Sequence, residues 1–285
     1  MMKNNYHTHH YLCMHAEGDS FDYIEEAIKN NFSEIGISDH GPINADAFKR
    51  MSINQFYNVY LKELNLAIDK YKDKIKIYKS LEIEYVYGDE DFYRKLLEDL
   101  DYLILGPHYY EGEKVLHPYS VYTVNTHEKL ERYTNFVVRA LDTKLFKILA
   151  HPDLFMHGYV ELDSFGEACV RRICEAAIRN DCLLEFNAGG IRSNRYYDEL
   201  GNPKYRVPND RFWKIVETTN AKVIVNSDCH KPSELNDEAF KLARELASKY
   251  KLNIVKRVFE WSEFISGHFL FFYHPFALVR RSRGL

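Results

Sequence analysis

Long apolar runs are absent from this chain of 285 residues. No window approaches the roughly 20 apolar residues that a membrane-spanning helix requires, and the opening MMKNNYHTHH has no apolar stretch of the signal-peptide kind. Cysteine is scarce. The five present (Cys13, Cys169, Cys174, Cys182, Cys229) are odd in number and form no CxxC pair, which argues against a disulfide framework and points to a reducing, cytoplasmic setting. Positive charge is not in excess, since 38 Lys and Arg against 42 Asp and Glu leave a net charge of −4. No global basic field exists to hold nucleic acid, although a local basic groove is compatible with that balance. No Pro/Gly/Ser-rich linker divides the chain, so a single barrel domain is the economical reading. With 46% hydrophobic and 28% charged residues, the composition excludes a disordered or collagen-like chain. A chain of this size buries about three quarters of its unfolded surface and needs neither disulfide nor metal as a staple.

Histidine is abundant instead, 13 in all, within an alternation of apolar β-branched runs and longer segments of helical period. Strands are predicted near 3–8, 33–38, 75–84, 101–107, 146–151, 182–187 and 222–227, with an eighth candidate at 252–258. Helices are predicted over 20–31, 54–72, 90–99, 127–141, 164–180, 209–219 and 235–249, with Asp19 or Ser20, Asn209 and Ser233 as N-caps. Repeated βα units build a TIM-like barrel, whose chemistry sits at the C-terminal ends of the strands. Polar residues fall at those ends in every unit: His7 and His9, Asp39 and His40, Glu82 and Glu84, His108, His151, Glu185 and Asn187, then Asp228 and His230.

Side chains two apart on a strand share a face, so His7/His9 and Asp228/His230 each aim two donor atoms at one point. A lone HxH in so histidine-rich a chain would mean little, and one or two of these histidines could be hydrogen-bonded residues of the barrel mouth. The joint pattern of HxH, DH, strand-end Glu, two strand-end His and DxH is far more specific. Imidazole and carboxylate donors suit Zn, Mn or Fe, and residue types do not choose among them.

The runs HTHH with His15 close behind, GISDHGP, SLEIEY, GPHYY, LAHPD, LEFNAGG and NSDCH, in that order, resemble the polymerase and histidinol phosphatase (PHP) family, most closely its histidinol-phosphatase branch. The resemblance implies an α/β fold, a distorted (β/α)7 TIM-like barrel over residues 1–255, with three divalent first-row ions at the strand ends. It implies that His7, His9, Glu82 and Asp228 hold one ion, that Glu82 bridges to a second held also by His108 and His151, and that His15, His40 and His230 hold the third. Glu84 shares a face with Glu82 and is the alternative bridge. Asp39 is expected to orient a ligating imidazole or, like His10 and His117, to serve as acid for the leaving group.

The implied activity is hydrolysis of L-histidinol phosphate to L-histidinol and phosphate. Another small phosphate ester, a nucleotide or a nuclease substrate is the alternative within the family, and a non-catalytic metal-binding barrel the alternative outside it. The expected partner is a small-molecule phosphate monoester, with neither membrane nor nucleic acid involved. Arg192, just after the turn Gly189-Gly190, is the expected cation for the substrate phosphate, with Arg195 and Arg206 as fallbacks. Asn187 and His117 are expected to touch substrate. Tyr109, Tyr110, Tyr119 and Tyr122 either wall an imidazole-sized pocket or fill the core. Cys229, between Asp228 and His230, is expected to be buried filler rather than a nucleophile. Residues 256–285 do not resemble the end of that family. An altered terminus is the favoured reading, against a cover for the barrel bottom or a docking segment for a partner or membrane surface.

Overall fold

The apolar runs become parallel strands of one sheet: β1 (Lys3–Asn5), β2 (Phe32–Ile37), β3 (Lys76–Ile83), β4 (Tyr102–Leu105), β5 (Ile148–Leu149), β6 (Leu183–Asn187), β7 (Lys222–Asn226) and β8 (Asn253–Ile254), side by side in chain order. These come from a computed structural model that describes residues 3–43, 50–110, 118–193 and 195–259. The sheet curls until the segment after β1 meets the segment after β7. There Thr8 and Cys229 form a parallel bridge, the Asp228 N–H donates to the His7 carbonyl at 3.1 Å, and the His9 N–H donates to the Cys229 carbonyl at 3.0 Å. The result is the expected distorted barrel of seven strands. The eighth strand is shorter than predicted and pairs with the start of β7, Lys222 opposite Asn253, at the bottom of the ring.

Seven helices, α1 (Ser20–Lys29), α2 (Leu61–Tyr71), α3 (Glu90–Leu96), α4 (His127–Asp142), α5 (Ser164–Arg179), α6 (Asp210–Val216) and α7 (Glu238–Ala247), follow the strands they serve. Their buried stripes share one large core with the outer face of the sheet. Asp19 and Asn209 cap α1 and α6 as predicted, accepting backbone N–H groups of the first turn. Ser233 does not cap α7. It sits in a separate turn opened by Pro232, and Asp237, directly before the periodic apolar run, accepts the Phe240 N–H instead.

Alternation along the strands divides the barrel interior into two layers. On β3, Tyr78 and Glu82 share a face; on β6, Leu183, Glu185 and Asn187 do the same. The lower positions form a closed apolar floor of Tyr6, Tyr78, Tyr102, Ile104, Ile148, Leu183 and Ile224, completed by Ala150 and Val258. The upper positions carry the carboxylates and imidazoles. Chain beyond β8 finishes that floor: Phe259 packs on Tyr78 and Tyr102 with ring centroids 5.3 and 6.1 Å away, and Arg257 pairs with buried Glu34 at 2.8 Å. Residues 260–285 lie outside the described residues. Among the described residues no helix is long and apolar enough to cross a membrane.

This floor makes one expectation measurable. A chain ending at Val255 loses the buried Val258 and leaves the Glu34 carboxylate without its guanidinium, whereas a chain ending at Phe259 keeps both. Uncovering an apolar side chain and orphaning a buried charge together cost about 3–5 kcal/mol. Urea unfolding of the two truncations should differ by that amount, and equal stabilities would contradict the packing described.

Candidate metal centre

Two strand ends bend sharply to bring their side chains back over the barrel mouth. His151 and Asp228 adopt left-handed backbone, with φ of 30° and 49°. Such strain costs on the order of 1–3 kcal/mol per residue and persists where surrounding bonds over-determine it. Here the His151 N–H donates to Glu185 Oε2 at 3.1 Å, and Asp228 is held by the His7 carbonyl. Close approach also demands glycine. A Cβ on Gly106 would lie 2.7 Å from Glu82 Oε1, and one on Gly189 would lie 2.7 Å from Asp228 Oδ2.

Glu82 stands at the centre. Its Oε2 lies 3.5 Å from His7 Nε2, 3.5 Å from His9 Nε2 and 3.0 Å from His40 Nδ1. Its Oε1 faces the other way, 3.0 Å from His151 Nε2 and 3.7 Å from His108 Nε2. Asp228 Oδ1 approaches His9 Nε2 at 3.0 Å and His7 Nε2 at 3.5 Å. Among the described residues donor atoms gather in four groups, each set lying within 4.8 Å: three built from expected ligands, His7/His9/Glu82, Glu82/His108/His151 and His15/His40/His230, and a fourth, His9/Cys13/His230, that overlaps two of them. The structure brings the nine residues expected as metal ligands together at the barrel mouth, Asp228 through its approach to His7 and His9. Glu84 sits one step behind, its Oε1 contacting His108 Nδ1 at 2.9 Å and Arg50 Nη2 at 3.1 Å.

Tautomers show whether this set fits cations. Carboxylate and carbonyl oxygens only accept, so the Nδ1 of His7 facing Glu185 at 2.8 Å, of His108 facing Glu84, and of His15 facing the Cys13 carbonyl at 2.7 Å all carry hydrogen. In the neutral ring each Nε2 is then a bare lone pair, and these point inward. His7 Nε2 is 2.9 Å from His9 Nε2, and His15 Nε2 is 3.1 Å from His230 Nε2. Nitrogen lone pairs that close require a proton or a cation beside them. The donor set fits metal ions.

Without metal, protons take part of that role. Burial works against charge on His9, but the neighbouring carboxylates of Asp228 and Asp39 raise it to about 9. Burial likewise opposes charge on His7, which the carboxylates of Glu185, Asp228 and Glu82 hold well above its ordinary value. Burial and the charge of His9 push His230 down to about 3, and the same two causes hold His40 low. Glu82 stays ionised despite burial, because His108, His7 and His40 surround it. Metal uptake must therefore expel protons from the His7/His9 side. Binding should tighten as pH rises toward about 9, with proton release visible in calorimetry across buffers of different ionisation enthalpy. In the metal-free chain, protonated His9 lends stability that is full below about 6.5 and is lost as pH rises through about 9. Buffer-independent binding heats would contradict this.

Three expectations about the remaining residues need correction. Arg192 was expected to meet a phosphate, yet its guanidinium is committed within the protein. Nε and Nη2 grip Asp237 at 2.7 and 3.0 Å, Nη1 donates to the Ser227 and Asp228 carbonyls, and Nη2 also reaches Ser227 Oγ and the Glu234 carbonyl. It lines the cleft but acts by fixing the backbone of the DxH turn. Asn187 was expected to touch substrate. Its Nδ2 donates to Glu185 Oε2 at 2.7 Å and Asp228 Oδ2 at 3.0 Å, and its Oδ1 accepts the Gly190 N–H, so it orients Asp228. Asp39 is fully buried between His9 and His10, and although burial opposes charge, His10 at 2.7 Å and the neighbouring His9 ring hold it well below the usual carboxylate range. The imidazole within its hydrogen-bond reach is His10, which is not among the expected ligands, and an ionised Asp39 carries no proton for a leaving group. His10, sealed from solvent against Asp39 and Tyr60, is no better placed as an acid. His117 lies outside the described residues.

Three residues given no role in the sequence reading belong to the site. Glu185 is fully buried beneath the cluster and binds His7, Asn187, Asn226 and the His151 backbone. Its position two residues before Asn187 on a strand was the available signal. Arg50 meets Glu84 at 3.1 Å, a long-range pairing with no local signature. Cys13, in the turn Tyr11–Cys13, has its sulfur among the donor atoms of the cluster. Cys229 is buried as expected.

A cleft of about 350 Å³ opens on the cluster, and its lining includes Tyr122, Leu154, Val207, His230 and Glu234. Of the other tyrosines singled out, Tyr110 is buried against Tyr133, and Tyr119 is exposed.

Comparisons with known proteins agree with this architecture. The profile of the PHP domain matches residues 5–189, more than half of the chain. A Deinococcus radiodurans protein named "Probable histidinol-phosphatase" is 28% identical over 237 residues, covering 80% of this chain and 86% of its own. A Shewanella loihica protein named "Probable phosphatase" is 24% identical, covering 84% and 83%. Among solved structures, the histidinol phosphate phosphatase HisK of Lactococcus lactis, crystallised with zinc, L-histidinol and phosphate, superposes with a TM-score of 0.66 at 18% identity, over 89% of this chain and 95% of that one. At that identity the likeness is one of fold.

Proposed function

Because this chain belongs to the PHP domain family, we propose that it is a metal-dependent phosphatase of small phosphate monoesters, with L-histidinol phosphate as substrate. The observation that carries the reading is Glu82, whose two carboxylate oxygens serve two donor groups while a third, purely imidazole group lies alongside. His7, His9, Glu82 and Asp228 would hold one divalent ion, Glu82, His108 and His151 a second, and His15, His40 and His230 a third. Ions held there would supply positive charge for a phosphate dianion and acidify a water toward neutral pH.

The protein's own part is preorganisation. Glu185, Glu84 and the Cys13 carbonyl fix imidazole tautomers from behind, so these donors need no rearrangement when charge develops. Arg192 and Asn187 hold Asp228 and the turn that carries His230. The cleft suits the organic half of the proposed substrate: Tyr122, Leu154 and Val207 offer an apolar wall for an imidazole ring, and the Glu234 carboxylate offers a partner for a primary ammonium. The names of the Deinococcus relative and of HisK support the same choice.

Phosphate release from L-histidinol phosphate, measured beside sugar phosphates, nucleotides and a nucleic-acid phosphodiester, tests the assignment. A metal-dependent preference of about 100-fold in kcat/KM for histidinol phosphate is expected, in the range that one well-placed charge and one ring contact provide. Equal or better turnover of another ester would keep the phosphatase and discard this substrate.

A further inference from the structure

We propose that Cys13 gives the cluster a second, thiophilic binding mode, in which a soft divalent ion is held by His9, Cys13 and His230 in competition with the three groups described above. The inference rests on the metal-centre reading and extends it. Cys13 ends a short turn inside the loop that separates His9 from His15, and its side chain is 1% exposed. Its sulfur and donor nitrogens of His9 and His230 lie within 4.8 Å of one another, and no other cysteine among the described residues joins such a group.

A second observation points to a ligand there. His9 Nε2 is occupied with His7, Glu82 and Asp228, but Nδ1, on the other edge of the same ring, is buried and has no hydrogen-bond partner within reach, Asp39 Oδ1 standing 3.6 Å away. The His9 and His230 rings stack at 4.2 Å with 20° between their planes, presenting their nitrogens side by side. Two imidazoles and one thiol, with an unemployed buried nitrogen among them, form a donor set that zinc or cadmium prefers and that manganese or magnesium does not.

Occupying it has a consequence for the other groups. The sulfur–metal bond forms as the thiol proton leaves to buffer, with no change of oxidation state. His230 belongs to the His15/His40/His230 group, so an ion seated on Cys13 draws His230 away from it, and it also loads the second nitrogen of His9, whose Nε2 serves the His7/His9/Glu82 group. Excess zinc thereby inhibits the enzyme, while excess manganese does not.

Cadmium titration of the metal-free, full-length protein tests this directly. A thiolate-to-cadmium charge-transfer absorption should grow in the ultraviolet to the amplitude of one sulfur, vanish in Cys13→Ser, and persist in Cys229→Ser. Cys13→Ala, with folding checked by circular dichroism, serves as the second variant. With manganese-loaded protein, the zinc concentration for half-inhibition should rise about tenfold or more in Cys13→Ser, the low end of what losing one supporting group costs a metal site. Cadmium bound without the absorption, or an absorption that survives Cys13→Ser, overturns the thiophilic mode and leaves the metal centre standing. No cadmium bound at all overturns both.

Discussion

Replacing Glu82 by Gln should reduce kcat/KM on the order of 10³-fold or more, the scale expected when a central electrostatic element of a preorganised site is removed. Gln keeps the shape and removes the charge, so packing around the side chain, which is 1% exposed, is preserved. Metal content should fall at the same time, because two of the three groups of expected ligands share this carboxylate. The His15/His40/His230 group retains its ligands and should still bind. In the metal-free variant His7 loses one of the carboxylates that hold its proton, so its titration should move down toward the ordinary histidine range. Metal counting by mass spectrometry, with NMR titration of the imidazoles, reads both effects. A variant with full metal content and normal turnover would remove Glu82 from the centre.

Arg192→Ala should lower stability and activity together. The side chain joins α7, through Asp237, to the backbone of Ser227 and Asp228, and the pair is well screened from water, with 17% and 25% side-chain exposure. Breaking a partly buried, multiply hydrogen-bonded pair from one side costs about 3 kcal/mol, the low end for buried pairs. Asp237→Asn should reproduce much of the loss, and the double variant should be less than additive by about 1 kcal/mol or more. Lysine should not rescue, since it cannot supply the planar fork that reaches Asp237, Ser227 and Glu234 at once. A phosphate-binding arginine would behave otherwise: KM and product inhibition by inorganic phosphate would weaken at unchanged stability.

The contrast between those two residues shows what the linear chain discloses. Glu82, His7, His9, Asp228 and His230 were legible because period-two spacing at the end of an apolar run assigns a side chain to the barrel mouth before any partner is known. Arg192 follows the same logic to the same rim, but its partner comes 45 residues later on α7, and whether a guanidinium faces solvent or a distant carboxylate is a tertiary fact. Arg50 and Glu84 pair across 34 residues for the same reason. Cys13 was hidden differently. Within HTHHYLCMH it falls between two expected ligands, and the short helical turn Tyr11–Cys13, closed by the left-handed backbone of Met14 at φ 66°, is not signalled by any strand or helix period.

The fold was readable in its repeats and less so at its margins. Each βα unit was anticipated, yet β5 has only two residues, because His151 turns out of the strand as soon as Leu149 is paired. The antiparallel pairs Tyr109–Tyr110 with Tyr119–Ser120, and Arg195–Tyr197 with Pro203–Tyr205, are too short to carry an alternating pattern. The eighth strand stops at Ile254, because Val258 joins the barrel floor and Arg257 pairs with Glu34 rather than extending the ladder along β7.

The central claim, that this cluster binds divalent ions to hydrolyse a phosphate monoester, is tested most directly by phosphate release from L-histidinol phosphate during stepwise metal loading. The metal-free protein would be titrated with manganese while bound metal per chain is counted. No release is expected before loading, then activity that rises with bound metal until the donor groups are filled, and in Asp228→Ala less metal bound per chain and no activity recovered. Full activity in the metal-free protein, or in an Asp228→Ala variant that has lost bound metal, would contradict it.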